Sequence, residues 1–211
     1  NNYVNWYRTQ VAYPDVKTYT IPNFTEVPDA LPEREHDGVR IIFARRLQQY
    51  RGTRLFAEVI ERIIEKYPQV YVTIAGTGPD EKYLKDRLSK FTQIDFITYN
   101  SEDSIKIHRD KDIAVVPTLG SEGTSLSLLE AMASGCAPVA TNVGGMSNIL
   151  LDGYNGLLIN PECSELFDAL EMLICDKELR VSIADNAYKT VKQSFDINKW
   201  KEKWRKVINN V

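Results

Sequence analysis

The chain is poor in the residues that build metal and redox centres. Its 211 residues include three cysteines, Cys136, Cys163 and Cys175, and two histidines, His36 and His108. The cysteines are odd in number and form no C-x-x-C pair, which argues against a disulfide framework or a zinc cluster and for a reducing compartment. Asp110-Lys111-Asp112 matches a D-x-D pattern, but it precedes a strand-like run and so should face the wrong edge of a sheet; no metal site is expected. No apolar run reaches the roughly 18 residues of a membrane-spanning helix, and the N-terminus shows no signal-like apolar core. Positive charge is not in excess either. With 26 basic and 29 acidic residues the net charge is −3, which argues against nucleic acid as a partner. Phosphate recognition would have to be local. The chain begins at Asn1 rather than Met, so a piece of a longer, cytoplasmic protein is the expectation.

What is present is a regular alternation. Residues 1–38 are aromatic and punctuated by Pro14, Pro22, Pro28 and Pro32, and read as an extended lead-in and linker. Short runs of β-branched and apolar residues follow at Val39–Ala44, Val70–Ala75, Ile94–Thr98, Ile113–Pro117, Pro138–Thr141 and Gly156–Ile159, as expected of strands buried on both faces. Between the first two, Leu55, Phe56, Val59, Ile60, Ile63 and Ile64 recur at helical spacing against a charged face, the pattern of an amphipathic crossover helix. Further helices fit 80–91, 103–109, 124–134, 145–151, 164–174 and 177–193. The fold class is therefore α/β, a doubly wound, Rossmann-like parallel sheet of about six strands spanning 39–194, with ligands at the carboxyl ends of the strands. Residues 195–211 form a separate terminal helix.

Chemistry concentrates in Thr118–Gly135. A polar loop containing Glu122, Gly123, Thr124 and Ser125 runs into an almost wholly apolar helix that carries Glu130 and no Lys or Arg. Free N–H groups at the start of such a helix form an anion site, and eight residues at 1.5 Å each let the two carboxylates flank it at about 12 Å. The other reading of the same residues is a buried helix whose Glu130 bonds a neighbouring backbone group, with the Ser and Thr as N-caps. Arg45, Arg46 and Arg51 follow the first strand, where they suit a phosphate or form a solvated basic turn. Gly76-Thr77-Gly78-Pro79 is a G-x-G turn without the third glycine of a dinucleotide fingerprint. Gly144-Gly145 permits close backbone approach or a plain tight turn.

Taken together these segments resemble family 4 retaining glycosyltransferases of the GT-B fold. Glu122 through Glu130 is similar to that family's E-x7-E signature. Arg46-Leu47 with Arg51-Gly52 resembles its R-L-x3-K-G, Gly76-x-Gly78-Pro79 its G-x-G-P, Asp152-Gly153-x-Asn155-Gly156 its D-G-x-N-G-L, and Ile21-Pro22-Asn23 its I-P-N. The resemblance spans about residues 20–200 and implies the C-terminal, donor-binding half of a GT-B enzyme. It implies Glu122 as the catalytic contact to the transferred sugar and Glu130 as the ribose contact. The diphosphate would lie on Arg46, Arg51, Gly123, Thr124 and Ser125, and the base near Tyr99. The implied substrate is a UDP- or GDP-sugar, used without cofactor or metal, with retention, on a glycan or lipid-linked acceptor. The implied partner is the chain's own N-terminal acceptor domain, without which the fragment should bind donor and not turn over. A non-hydrolysing nucleotide-sugar epimerase and a non-enzymatic nucleotide-sugar binder share this architecture. Arg45 stands where the family usually has Gly, Arg51 where it has Lys, Thr98 where it has Gly, and Thr124-Ser125 where it often has an aromatic-Gly pair. At the C-terminus Ile197, Trp200, Trp204, Val207, Ile208 and Val211 form an apolar stripe among lysines. The stripe suits crossing to the N-terminal domain, packing on its own domain, or peripheral contact with an anionic membrane surface.

Overall fold

Six short runs rich in Val, Ile and Ala pair as one all-parallel sheet. A computed structural model describes residues 19–209 apart from Ser121. Its strands are β1 (Val39–Ala44), β2 (Val70–Ala75), β3 (Ile94–Ile97), β4 (Ile113–Val116), β5 (Ala137–Thr141) and β6 (Leu157–Ile159), in the spatial order β3-β2-β1-β4-β5-β6. Each lies within one residue of its predicted bounds. The helices are α1 (Thr53–Lys66), α2 (Glu81–Leu88), α3 (Ser104–His108), α4 (Leu126–Ala133), α5 (Cys163–Cys175), α6 (Lys177–Ser194) and α7 (Ile197–Ile208).

Period-2 alternation in the strands sends successive side chains to opposite layers. Ile41 and Phe43 of β1 join a core with α1, α2 and α5, where the Phe43 ring lies 4.7 Å from that of Phe56. Ile42 and Ala44 face the other layer, against Ala131 and Cys136. All six predicted apolar positions of α1 are buried, each stabilising the fold by about 1.5–3 kcal/mol. Leu128 and Met132 of α4 pack with Ala187 and Val191 of α6 on that second face.

One expectation is corrected. The predicted helix at 145–151 is a single 3-10 turn, Met146–Asn148. The buried Asn155 amide ends it: its Oδ1 accepts from Leu151 N (2.7 Å) while its Nδ2 donates to Ile149 O (3.2 Å) and Thr190 Oγ1 (3.1 Å). The first 18 residues of the lead-in lie outside the described ones; its described part, 19–38, lies as an extended strap on the domain. Thr25 N donates to Phe195 O (3.0 Å), and the Tyr188 hydroxyl donates to Pro28 O (2.6 Å) and Asp29 O (3.0 Å). The Arg34 guanidinium then donates to Gly135 O (2.8 Å) and Ser134 O (2.7 Å), which satisfies carbonyls at the C-terminal end of α4.

Helix α7 begins at Asp196, whose side chain accepts from Asn198 N. It buries none of its residues fully; Trp200 leans on Phe24 at 4.6 Å and on Trp204 at 5.9 Å, and Trp204 and Ile208 are exposed. Val211 of the predicted stripe lies outside the described residues. Among those residues no helix is long and apolar enough to cross a membrane.

Gly52 links this scaffold to the site. It closes the loop after β1 at φ +85°, and a Cβ there would stand 1.9 Å from Pro117 O in the loop after β4. Gly153 has a similar φ of +72° with nothing near its missing Cβ. Gly153→Ala should therefore cost about 1–2 kcal/mol from backbone conformation alone, and Gly52→Ala about 3 kcal/mol or more because a carbonyl must also move. Urea denaturation of the two variants measures the difference; equal losses would contradict the contact between the loops.

Candidate functional site

The strand order reverses at β1 and β4, the position where doubly wound sheets open a crevice above the strand ends. Two loops fill its walls, 45–52 after β1 and 117–125 after β4, joined where Leu119 N donates to Tyr50 O (2.9 Å). The first loop rests on the glycine turn after β2: Leu47 N donates to Thr77 O (2.9 Å), and Asp80 N donates to Leu47 O (3.0 Å). Asp80 in turn accepts from Thr53 Oγ1 at the start of α1. The second loop rests on Gly144-Gly145, with Gly145 N donating to Glu122 O at 2.8 Å. A Cβ on Gly144 would meet that same carbonyl at 2.3 Å. Close approach, not a plain turn, is what these two glycines provide.

The cleft between the loops is about 310 Å³ and is lined by Asn23, the three arginines and Glu122, and the Thr124–Ser127 segment. Three guanidinium groups against one carboxylate leave an excess of two positive charges, in a chain whose net charge is −3. Glu122 is almost enclosed, its side chain 12% exposed. Its Oε2 accepts from Arg45 Nη2 (2.9 Å), from Arg51 Nη1 and from Thr118 Oγ1 (3.2 Å). Arg45 Nη1 also donates to Thr118 Oγ1 (2.7 Å), which closes a triangle, and Thr118 O is fixed by Thr141 Oγ1 (2.5 Å). Burial draws the Arg45 guanidinium down to about 10, with Glu122 opposing the shift. It remains charged at neutral pH. Arg51 lies 4.9 Å over the Tyr50 ring. Arg46 is exposed at the mouth of the cleft.

Helix α4 opens onto the cleft without a side-chain cap. Ser125 occupies the N-cap position, but its Oγ meets Ser127 Oγ (3.3 Å) instead of a first-turn N–H. Those N–H groups are left for an anion. Asn23, from the strap, donates its amide to Thr124 O (3.0 Å). One turn further along α4, burial raises the Glu130 carboxyl to about 7, with a hydrogen bond from Ser104 offsetting part of the shift. Tyr99 is raised to about 12, first by burial and then by the Glu130 charge. The two groups therefore lie near enough to interact electrostatically.

The structure thus brings Arg46, Arg51, Glu122, Thr124 and Ser125 into one cleft, with Gly123 in the same loop next to Glu122, while Glu130 lies further along α4 near Tyr99 and outside the cleft lining. Arg51, which the resemblance places on the diphosphate, bonds Glu122 here. Three site residues were not given these roles from sequence: Arg45, Thr118 and Asn23. The contacts of Arg45 with Thr118 and Glu122 and of Asn23 with Thr124 span 73 to 101 residues; the signals were the basic turn that contains Arg45 and the I-P-N motif around Asn23. Asp110 bonds Arg40 (2.6 Å) and Lys111 (3.0 Å), and Asp112 accepts from Arg40 N (2.8 Å), all at the opposite edge of the sheet. Among the described residues no cluster of His, Cys, Asp and Glu suits a metal ion.

A model of the family described as glycosyl transferases group 1 matches residues 29–190. The chain is 32% identical over 184 residues to the D-inositol 3-phosphate glycosyltransferase of Paenarthrobacter aurescens, covering 82% of this chain and 45% of that protein. It is similar to the crystal structure of the C-terminal domain of a glycosyl transferase group 1 family protein (LpcC) from Francisella tularensis, at 32% identity and TM-score 0.67, over 75% of this chain and 87% of that one. Its fold also matches that of HepE from Anabaena, solved in complex with UDP-glucose, at TM-score 0.74 and 21% identity, over 82% of this chain and 49% of that one. The chain spans about half the length of the curated relatives it matches. With the family model covering most of its residues, the chain belongs to the group 1 glycosyl transferases.

Proposed function

We propose that this chain is the C-terminal, donor-binding half of a retaining glycosyltransferase that uses a nucleoside-diphosphate sugar. One observation carries the reading: an excess of two positive charges beside an uncapped helix N-terminus, in the crevice where the sheet order reverses. A sugar-linked diphosphate has two negative charges and matches that excess. In this reading Arg46 and Arg51, with the N–H groups of Gly123–Ser125 and the first turn of α4, hold the diphosphate. Glu130 accepts from the ribose hydroxyls, the base lies near Tyr99, and Glu122 presents Oε1 to the sugar. Relatives about twice this length and solved neighbours crystallised with UDP support it.

In the whole protein the bond from the anomeric carbon to the phosphate oxygen breaks as the acceptor oxygen bonds that carbon on the same face. The departing diphosphate takes the acceptor proton. The arginines and helix N–H groups stabilise the charge that builds on the leaving oxygen, the usual largest electrostatic contribution. No step needs a metal ion, because the guanidinium groups supply the opposing charge. The acceptor and its residues belong to an N-terminal half across the cleft, and the bare Trp204 and Ile208 of α7 suit docking to it.

Arg46→Ala should weaken UDP or GDP binding about tenfold or more, as expected for loss of a charge-assisted contact, and EDTA should leave binding unchanged. Calorimetric titration tests both; an unaltered dissociation constant in the variant removes the phosphate assignment.

Glu130 gives a pH test of two opposite signs. Its carboxyl accepts from ribose best when ionised, so affinity for UDP-glucose, whose diphosphate does not titrate here, should rise up to about tenfold from pH 6 to pH 8. Because folding raises its pKa from 4.5 to about 7, its stability contribution is full below 4.5 and is lost as pH rises through 7. Glu130→Gln should flatten both profiles. A pH-dependent affinity that survives in the variant assigns the titration to another group.

A further inference from the structure

Glu122 has two arginine partners that differ in nearly every physical respect. Arg45 is fixed: its side chain is 5% exposed, and both Nη atoms are engaged, one by Thr118 and one by Glu122. Its backbone N also donates to Ala75 O (3.0 Å) at the end of β2. Arg51 has more freedom. Its side chain is 25% exposed, Nη1 is the one guanidinium nitrogen engaged among the described residues, and it faces the cleft from the Tyr50 ring. A guanidinium has five N–H donors in a planar fork; Arg51 uses one of them on Glu122 and is the more exposed of the two, whereas Arg45 uses two, is almost wholly enclosed, and keeps its Nε buried.

The acceptor side is equally uneven. All three donors to the Glu122 carboxylate converge on Oε2. An oxygen has about two lone-pair directions, so three donors overfill it: the Thr118 hydroxyl is the most distant at 3.2 Å, and Oε2 keeps a cation on Arg45 if Arg51 turns away. A carboxylate this enclosed is costly without a compensating charge. If Arg51 were its only cation, turning Arg51 toward a ligand would strand it. Arg45 removes that conflict, and it occupies a position where the resembling motif has glycine.

We propose that Arg45 is a positioning residue, which holds and neutralises Glu122 while Arg51 exchanges Glu122 for the donor diphosphate. The proposal rests on the donor-binding reading above. Glu122 then keeps Oε1 aimed at the sugar before and after the nucleotide arrives, and one cluster serves as both resting lock and phosphate site.

A double-mutant cycle on UDP affinity tests this, with Arg45→Ala and Glu122→Gln singly and together, and the melting temperature of each recorded. Arg45→Ala should weaken UDP binding about tenfold, since Arg51 is then needed by Glu122. In the Glu122→Gln background the same change should cost about twofold or less, because no carboxylate competes. Arg45→Lys, which keeps the positive charge beside Glu122 without the planar fork, guards against an unstable alanine variant and should lose less affinity than Arg45→Ala, with that loss again vanishing in the Glu122→Gln background. Equal losses in both backgrounds would mean that Arg45 meets the phosphate itself, and no loss in either would mean that Glu122 does not need it; each overturns the proposal. Absence of UDP and GDP binding in the wild type overturns the donor reading as well, whereas normal binding with an additive cycle overturns the role of Arg45 alone.

Discussion

A buried carboxylate with two guanidinium partners is the constraint around which this domain is arranged. Glu122 is tolerable only because loops from two strands meet at it. That meeting requires β1 and β4 to be adjacent, which the order reversal of the sheet supplies. It requires the backbones to pass within contact of one another, as Gly52 does against Pro117 and Gly144 against Glu122. The sheet positions the charges, and the glycines set how closely they approach.

The second carboxylate shows the opposite treatment. Glu130 is on the same loop-helix segment, yet it has a hydroxyl instead of a cation beside it, and its pKa climbs to about 7. Placing one acid among arginines and the other against Ser104 and Tyr99 gives two groups of the same type different surroundings, and burial without a cation beside it is what raises Glu130. The segment contains no basic residue, so this division is imposed by residues that arrive from β1, from α3 and from the turn after β3.

How much of this was legible in the sequence follows from the range of the interactions. The strands were legible because burial on both faces writes itself as a local apolar run, and α1 because its six apolar positions keep a 3.6 period. The turn at 146–148 looked helical for a similar reason: Met146, Ile149 and Leu150 have the spacing, but Asn155 and Thr190 end it from outside the window. Within the site, Glu122, Glu130 and Arg51 stood in recognisable local patterns. Arg45 to Thr118 and Asn23 to Thr124 span 73 and 101 residues, and no local pattern encodes such a pair. The lead-in was read as a linker because prolines signal extended chain, and extended chain leaves no period to show what it lies on.

That strap bears on where the folding unit begins. It touches α4 at both ends, through Asn23 at Thr124 and through Arg34 at Ser134 and Gly135, while Leu31 fills the space over Gly135. A boundary drawn at Val39, where the first strand starts, would remove the C-terminal cap of the helix that carries Glu130. One drawn at residue 29, where the family match begins, would keep the cap and lose the Asn23 bond that steadies the anion loop. The smallest piece that retains an intact site therefore starts upstream of Asn23, and a protease that nicks the strap between Asn23 and Arg34 would separate binding from folding.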